Sequence, residues 1–248
     1  MQQYFIDTIA HMNDQIALNT EQSHHITHVL RMREDDVIRI VDTSSQMYFA
    51  HIHIDGKQVF AHIDEMIEDH TKNNIHITLA QGLIKKEKWD FLLQKSAELG
   101  VDAIQPFISS RTVVKMKDEK ADKKRQRYEK ILLEACEQCK RSTLVAFQDT
   151  IDFKALKDVE ADLKLIAYED ADHQSEHLYQ VLQQHENISS VLVVVGSEGG
   201  FSIDEVEALE ANGFIRVSLG ARILRAETAA ISLINNIAFF YEMVGDQS

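Results

Sequence analysis

Five consecutive apolar residues, Val191-Leu-Val-Val-Val195, run straight into Gly196. A segment that short, mostly β-branched and closed by glycine, reads as a strand with both faces buried. Leu163–Tyr168 has the same character. Strands of this kind belong to parallel sheets, whose two faces are covered by helices. The chain supplies those helices in alternation from residue 75 onward. Ile75–Gln81 reads as a strand and Glu87–Leu99 as a helix, with Trp89, Leu92, Leu93 and Ser96 on one stripe and Gly100 in the terminating position. Ala103–Ile108 is a strand, and a long helix runs from about Asp118 to Arg141. Ser202–Glu210 is a helix with capping-box spacing between Ser202 and Glu205, and Gly213 follows its end. Phe214–Leu219 is a strand, and a last helix covers about Glu227 to Met243. The expected fold class is therefore α/β with a parallel sheet.

The first seventy residues read differently. Asp36–Asp42, Met47–Ile54 and Val59–Ile67 alternate apolar and polar side chains, Asp55-Gly56 offers a turn, and one short helix lies near Glu21–Leu30. Short strands with a single helix predict a small β-barrel. The polar stretch Asp69–Asn74 is a break, so the expected domains are 1–70 and 75–248.

The formal charge is −14, which taken whole argues against a nucleic-acid partner. Its distribution says otherwise. Residues 1–78 are net −7 and residues 146–248 net −12, while residues 79–145 are net +5. Two cysteines exclude a disulfide scaffold. No apolar run reaches the roughly 18 residues of a membrane span. The segment MQQYFIDTIA has neither the basic nor the apolar region of a secretory signal. A cytoplasmic protein without a membrane partner is expected.

Two segments have the form strand, loop, helix start. Gly196-Ser-Glu-Gly199-Gly200 follows the Val191–Val195 strand at its carboxyl end, where parallel sheets bind ligands. Its glycines let backbone approach a ligand closely. By spacing alone it is equally a tight turn. Leu219-Gly220-Ala-Arg222-Ile-Leu-Arg225-Ala-Glu227 enters the last helix with two arginines and a glutamate, which by itself is also consistent with an intrahelical ion pair. Glu134, Gln138 and Arg141 fall on one helical face by spacing. Nine basic residues lie between Arg111 and Lys130, a patch fit for phosphate or a solvated helix. Cys136 and Cys139 form a single CxxC inside a helix, short of ligands for zinc, and read as buried small residues. His24 and His28 are one turn apart without a third ligand nearby, so no metal site is expected.

Taken in order, these segments resemble one family. His25-Ile-Thr-His-Val-Leu-Arg31 is similar to its HVLR segment. Lys88, Asp90, Gln94-Lys95-Ser-Ala-Glu98-Leu-Gly-Val101, Ile104, Pro106 and Ser110-Arg111-Thr-Val-Val-Lys115 follow. Glu134-Ala, Gln138 and Arg141 resemble its EA–Q–R helix, Gly196–Gly200 its GPEGG loop, and Leu219–Arg225 with Glu227-Thr-Ala229 its LGxRILRxETA segment. The chain thereby resembles, nearly end to end, the RsmE-type 16S ribosomal RNA uracil-N3 methyltransferases of the SPOUT superfamily.

The resemblance implies a PUA-like, RNA-binding β-barrel followed by a SPOUT-type trefoil-knotted parallel-sheet domain that dimerises with a second copy. It implies S-adenosylmethionine as cofactor, held by Gly196, Glu198, Gly199, Gly200, Leu219, Gly220, Ile223 and Leu224, with Leu79 and Gly82 near by. The implied substrate is a uridine of 16S ribosomal RNA, within the assembled small subunit. Its N3–H must be lost as the methyl arrives, so Arg225 or Arg222 is expected to stabilise the deprotonated base. Glu227 would orient an arginine, or accept the proton through water. Arg31, Lys88, Lys95, Arg111, Lys115, Gln138 and Arg141 are the implied RNA contacts. The alternatives are a knotted methyltransferase for another RNA and a non-catalytic RNA-binding relative.

Six positions depart from the family pattern. Gln3 stands for a common Arg, Ser197 for the Pro of GPEGG, Lys140 for Gly or a small residue, Ala146 for Pro, and Glu34-Asp35 for a turn Gly.

Overall fold

The computed structural model describes residues 1–112, 121–168 and 175–245. They form two compact units, one of Met1–Lys72 with Cys136–Thr143 and one of Asn73–Ala135 with Leu144–Ser248. Residues 136–143, assigned by sequence to the second domain, thus group with the first.

In the N-terminal unit, strands β1 (Gln3–Phe5), β2 (Gln15–Ala17), β3 (Val37–Val41), β4 (Met47–Asp55) and β5 (Gln58–Ile67) form one sheet in the order β1-β3-β4-β5-β2. The three long strands alternate as their sequence predicts. Ile38, Ile40, Ala50, Ile52, Val59, Ala61 and Ile63 point inward, and Tyr4, Leu18 and Ile26 complete the core. β1 and β2 are three residues each, too short to carry an alternation signal. Helix α1 (Thr20–His24) opens on an Asn19–Gln22 capping box and continues as a π turn over His25–Val29.

Two family departures fall at left-handed backbone. Asp35 has φ 66° and Lys140 has φ 68°, both in the region that favours glycine. Lys140 lies just past α3 (Ala121–Cys139), and the Arg141 N–H bonds back to the Cys136 carbonyl at 3.2 Å. The helix therefore ends before Arg141, which corrects the one-face reading of Glu134, Gln138 and Arg141. Glu134 and Gln138 are exposed, whereas Arg141 is buried. Gln3 is buried too, and its Nε2 donates to the Arg141 carbonyl at 2.7 Å. The residue that replaces a family arginine thus ties β1 to this segment.

In the second unit, every strand pair is parallel. The strands are β6 (His76–Gly82), β7 (Ala103–Ile108), β8 (Ala146–Phe147), β9 (Ile151–Asp152), β10 (Leu163–Ala167), β11 (Glu176–His177), β12 (Ser190–Val195) and β13 (Ile215–Ser218). Their order is β11-β13-β10-β12-β6-β7-β8, with β9 also on β7. Ala80, Ile166, Leu192 and Val194 pack on one face with Phe201, Phe214 and the α5 (Ile203–Glu210) residues Val206 and Leu209. Helix α6 (Ala226–Gly245) packs on β6 and β12, and α2 (Lys86–Glu98) packs on α6. The capping box of Ser202 and Glu205 is formed, and Gly100 closes α2 at φ 94°. Helix α4 (Leu178–Gln184) spans seven residues, and a 3-10 helix covers Phe153–Asp158.

Replacing Lys140 by Gly removes a left-handed side-chain penalty of about 1–2 kcal/mol. It restores about 0.4–1 kcal/mol of unfolded-chain freedom. Lys140→Gly should therefore raise stability by roughly 0.5–1 kcal/mol in urea unfolding. A loss of stability would mean that the hydrogen bond from Lys140 Nζ to the Glu137 carbonyl, 2.9 Å, outweighs the strain.

Candidate functional site

β10 lies between β12 and β13, and the chain visits β12 before β13. The connection that leaves β12 runs to β13, whereas the one that leaves its other neighbour, β6, runs the opposite way to β7. An open parallel sheet has its ligand crevice at such a point, outside the carboxyl ends of its strands. A cavity of about 630 Å³ lies there, within the range of small-molecule sites.

The floor of the cavity is built by close backbone approach. β6 and β12 run in register from His76 against Ser190 to Gln81 against Val195. The Gln81 side chain is buried and its Nε2 donates to the carbonyls of Gly82 (3.0 Å), Val195 (3.4 Å) and Gly196 (2.9 Å). Gly82 then passes so near the glycine loop that a Cβ there would sit 2.6 Å from Ser197 N and 2.9 Å from Gly196 C. The loop folds on itself through a hydrogen bond from Gly200 N–H to the Ser197 carbonyl at 2.9 Å, with Gly200 at φ 64°. Where relatives carry proline, the Ser197 hydroxyl donates to the Arg111 carbonyl at 3.3 Å. Arg111 returns the contact, its Nη1 donating to the Gly199 carbonyl at 3.2 Å. Glu205 accepts from both Ser110 N–H and Ser202 N–H at 2.9 Å, fastening the loop after β7 to the start of α5. Burial pushes the Glu205 carboxyl up, but these hydrogen bonds prevail and hold it below its ordinary range.

All eight residues implied for the cofactor line this one cavity, as do Arg222, Arg225, Lys88 and Arg111. Gly82 packs directly beneath the loop. The lining also takes in Ala167, Tyr168, Val195, Ser197, Phe201, Val217 and Ser218, which sequence patterns did not single out. Most of them end the three strands or follow them directly, so the carboxyl-end rule was the available signal.

The charges sort unexpectedly. Lys88 reads from sequence as an RNA contact, yet its Nζ lies 3.3 Å from Glu227 Oε2 and 3.7 Å from Glu198 Oε1. Glu198 also accepts the Lys85 N–H at 3.1 Å. Glu227 is buried, and its partner is Lys88 rather than the nearby arginines, which rules out the intrahelical ion pair. Arg222 and Arg225 are exposed, and their side chains have no hydrogen bond or ion pair among the described residues. Two uncommitted cations thus border the cavity, while Lys88 is held between Glu198 of the glycine loop and Glu227 of α6, and Arg111 is bonded to the Gly199 carbonyl.

The other RNA-contact residues lie elsewhere. Lys95 pairs with Glu98 along α2 at 2.8 Å and is absent from the cavity lining. Arg31 and Gln138 are exposed in the N-terminal unit, where Arg141 is buried. Lys115, with Lys117 and Lys120 of the basic patch, lies outside the described residues.

An RNA methyltransferase domain family matches residues 71–238, and an RNA methyltransferase PUA domain family matches residues 18–64. The ribosomal RNA small subunit methyltransferase E of Bacillus subtilis is 33% identical over the full length of both chains. Its counterpart from Buchnera aphidicola (subsp. Schizaphis graminum) is 31% identical over 93% of this chain and 92% of its own. Among solved structures, the ribosomal RNA small subunit methyltransferase E of Neisseria gonorrhoeae bound to S-adenosyl methionine superposes with a TM-score of 0.88 at 29% identity. That match covers 97% of this chain and 98% of the other. A Legionella pneumophila protein described as a methyltransferase, in complex with SAM, superposes with a TM-score of 0.86 at 30% identity over 95% and 96% of the two chains.

Gly82→Ala should force the glycine loop off its seat, because the clashing atoms are backbone and not a flexible side-chain end. The expected loss is about 1–3 kcal/mol in urea unfolding, typical of overpacking. An unchanged midpoint would show that the loop yields freely.

Proposed function

The chain belongs to the ribosomal RNA small subunit methyltransferase E family, and from that premise we propose that it transfers the methyl group of S-adenosylmethionine to N3 of a uridine in 16S ribosomal RNA. The observation that carries this reading is the convergence of Gly196–Gly200 and Leu219–Arg225 on one cavity, with two unpaired arginines at its edge.

The residues fit the cofactor. Gly196, Gly199 and Gly200 present backbone without side chains, as a backbone-held ligand requires. Leu219, Gly220, Ile223 and Leu224 line the same cavity, and Glu198 lies 3.7 Å from the Lys88 ammonium. When bound, the cofactor supplies an activated methyl on a sulfonium. The work left to the chain is alignment and charge. Uracil N3 becomes a nucleophile as it gives its proton to solvent water, and the negative charge spreads over the ring. Arg225 and Arg222, free of carboxylate partners, are placed to stabilise that charge. Glu227 is already committed to Lys88, so we assign it a positioning role: it anchors the lysine that also reaches Glu198, holding the start of α6 to the glycine loop. N3 is hidden in a base pair, so the target uridine is unpaired or flipped out.

On the N-terminal unit, Arg31 and Gln138 remain RNA-contact candidates. On the second unit, Arg111 and Lys95 do. The substrate is a shaped ribosomal particle, because a chain of net −14 binds loose RNA weakly. No helix among the described residues is long and apolar enough to cross a membrane, and we assign the reaction to the cytoplasm. We also assign the family's trefoil knot to the second unit. A homodimer completes the reading. Tyr179, Phe239 and Met243 are 55%, 61% and 50% exposed around an apolar groove of α4 and α6 that also reaches Leu219 of the cofactor wall. A monomer in sedimentation would contradict that part.

Arg225→Ala should cut methylation of small-subunit RNA by about 10²–10³-fold, the scale of one lost transition-state donor. Its calorimetric affinity for S-adenosylmethionine should stay near that of the wild type. Nucleoside mass spectrometry of the wild-type product should find 3-methyluridine. A different methylated nucleoside, or near-normal turnover in the variant, would overturn the assignment.

A further inference from the structure

Nine of the twelve histidines fall within residues 1–78, and the methyl-transfer site uses none of them. The helical pair that sequence spacing singles out, His24 and His28, stacks face to face at 4.5 Å without a carboxylate. A different set is assembled by the sheet. His51 on β4 stands directly opposite His62 on β5. Their rings stack at 4.6 Å, with 21° between planes. The β4–β5 register shifts between Phe49 and Ala50, whose partners are Glu65 and Ile63, so Asp64 is the extra residue of a bulge. The bulge turns the Asp64 carboxylate back onto the histidine pair. Oδ2 accepts the His51 backbone N–H at 2.9 Å, and Oδ1 lies 2.8 Å from His51 Nδ1 and 3.6 Å from His62 Nδ1. The three donor atoms lie within 4.8 Å of one another.

His62 Nδ1 is the telling atom. It is buried and has no hydrogen-bond partner, an expensive state for a ring nitrogen. A carboxylate oxygen already bonded to His51 lies 3.6 Å from it.

The geometry points to a divalent transition-metal site formed by His51, His62 and Asp64, which cross-links β4 and β5 on the outer face of the N-terminal sheet. Two imidazoles and one carboxylate form the ligand set of a borderline ion such as Zn²⁺, Co²⁺ or Ni²⁺. Three donors are too few for Ca²⁺, and the absence of thiolate disfavours Cu⁺. Tetrahedral zinc with bonds of about 2.0–2.2 Å places its ligand atoms about 3.4 Å apart. Small ring rotations therefore bring the observed separations to that value. A water takes the fourth position, since all three side chains are more than a third exposed. The acidic surroundings, net −7 over residues 1–78, favour a cation.

The test uses the full chain without a polyhistidine tag, stripped with chelator and titrated with Co²⁺ at neutral pH. One Co²⁺ per chain should bind with the ligand-field absorbance of a tetrahedral site, and Zn²⁺ should displace it. His62→Ala and Asp64→Asn should each weaken binding by at least about tenfold. His53→Ala, on the same sheet but paired with Glu34, should leave it unchanged. A readout that needs no variant is carbethoxylation of wild-type histidines followed by peptide mass spectrometry. Zn²⁺ should shield His51 and His62 and leave His24 and His28 reactive. Absent Co²⁺ bands, equal affinity in His62→Ala, or shielding of other histidines would each overturn the proposal.

Discussion

Everything at the functional site rests on the parallel pairing of β6 with β12 and on how it ends. Six residue pairs hold the two strands in register up to Gln81 and Val195. The buried Gln81 amide then carries the alignment one residue further, onto the Gly196 carbonyl. Because Gly82 has no side chain, the glycine loop can lie against β6 at backbone contact. A side chain at that point would lift the loop, and the cavity floor with it. The hydrogen bonds from Ser197 to Arg111 and from Ser110 to Glu205 bring in the loop after β7 on the same terms. The site is thus set by the sheet, and its loops inherit the register of strands buried on both faces.

Electrostatics completes the arrangement by dividing the cations between two tasks. Lys88 spans Glu198 and Glu227, one carboxylate from each side of the cavity. Removing one member of a fully buried pair costs about 3–5 kcal/mol. Here the cost is smaller, because the Lys88 side chain is 30% exposed while that of Glu227 is 11% exposed. What remains is a positional constraint, with Glu227 as the partner least able to find water instead. The side chains of Arg222 and Arg225 have no such tie among the described residues. Gln3, in the N-terminal unit, uses its buried amide to hold the Arg141 carbonyl.

Long periodic or apolar segments were legible in the sequence: β12, β10, the helices on either side, the Ser202 cap and the three barrel strands all lie where their patterns predict. The glycine and arginine segments were legible as strand-end loops, and their meeting in one cavity followed from the resemblance. Elements of two or three residues, β1, β2, β8, β9 and β11, were not legible, because alternation needs more residues than they have. The stop of α3 at Cys139 was hidden because Lys140 takes a left-handed conformation that its residue type does not advertise. The ion pairs of Lys88 were not legible, since its carboxylate partners are more than a hundred positions away in the chain. His51, His62 and Asp64 were missed for a related reason: their meeting depends on cross-strand register and a single bulge, neither of which local spacing encodes.

The central claim is that the loops after β12 and β13 together hold S-adenosylmethionine. Amide hydrogen exchange of the full chain, with and without the cofactor, tests it most directly. The account predicts slowed exchange concentrated in residues 195–201 and 217–226, with β3, β4 and β5 unchanged. Exchange that is unaltered in those two loops, or protection that falls elsewhere in the chain, would contradict it.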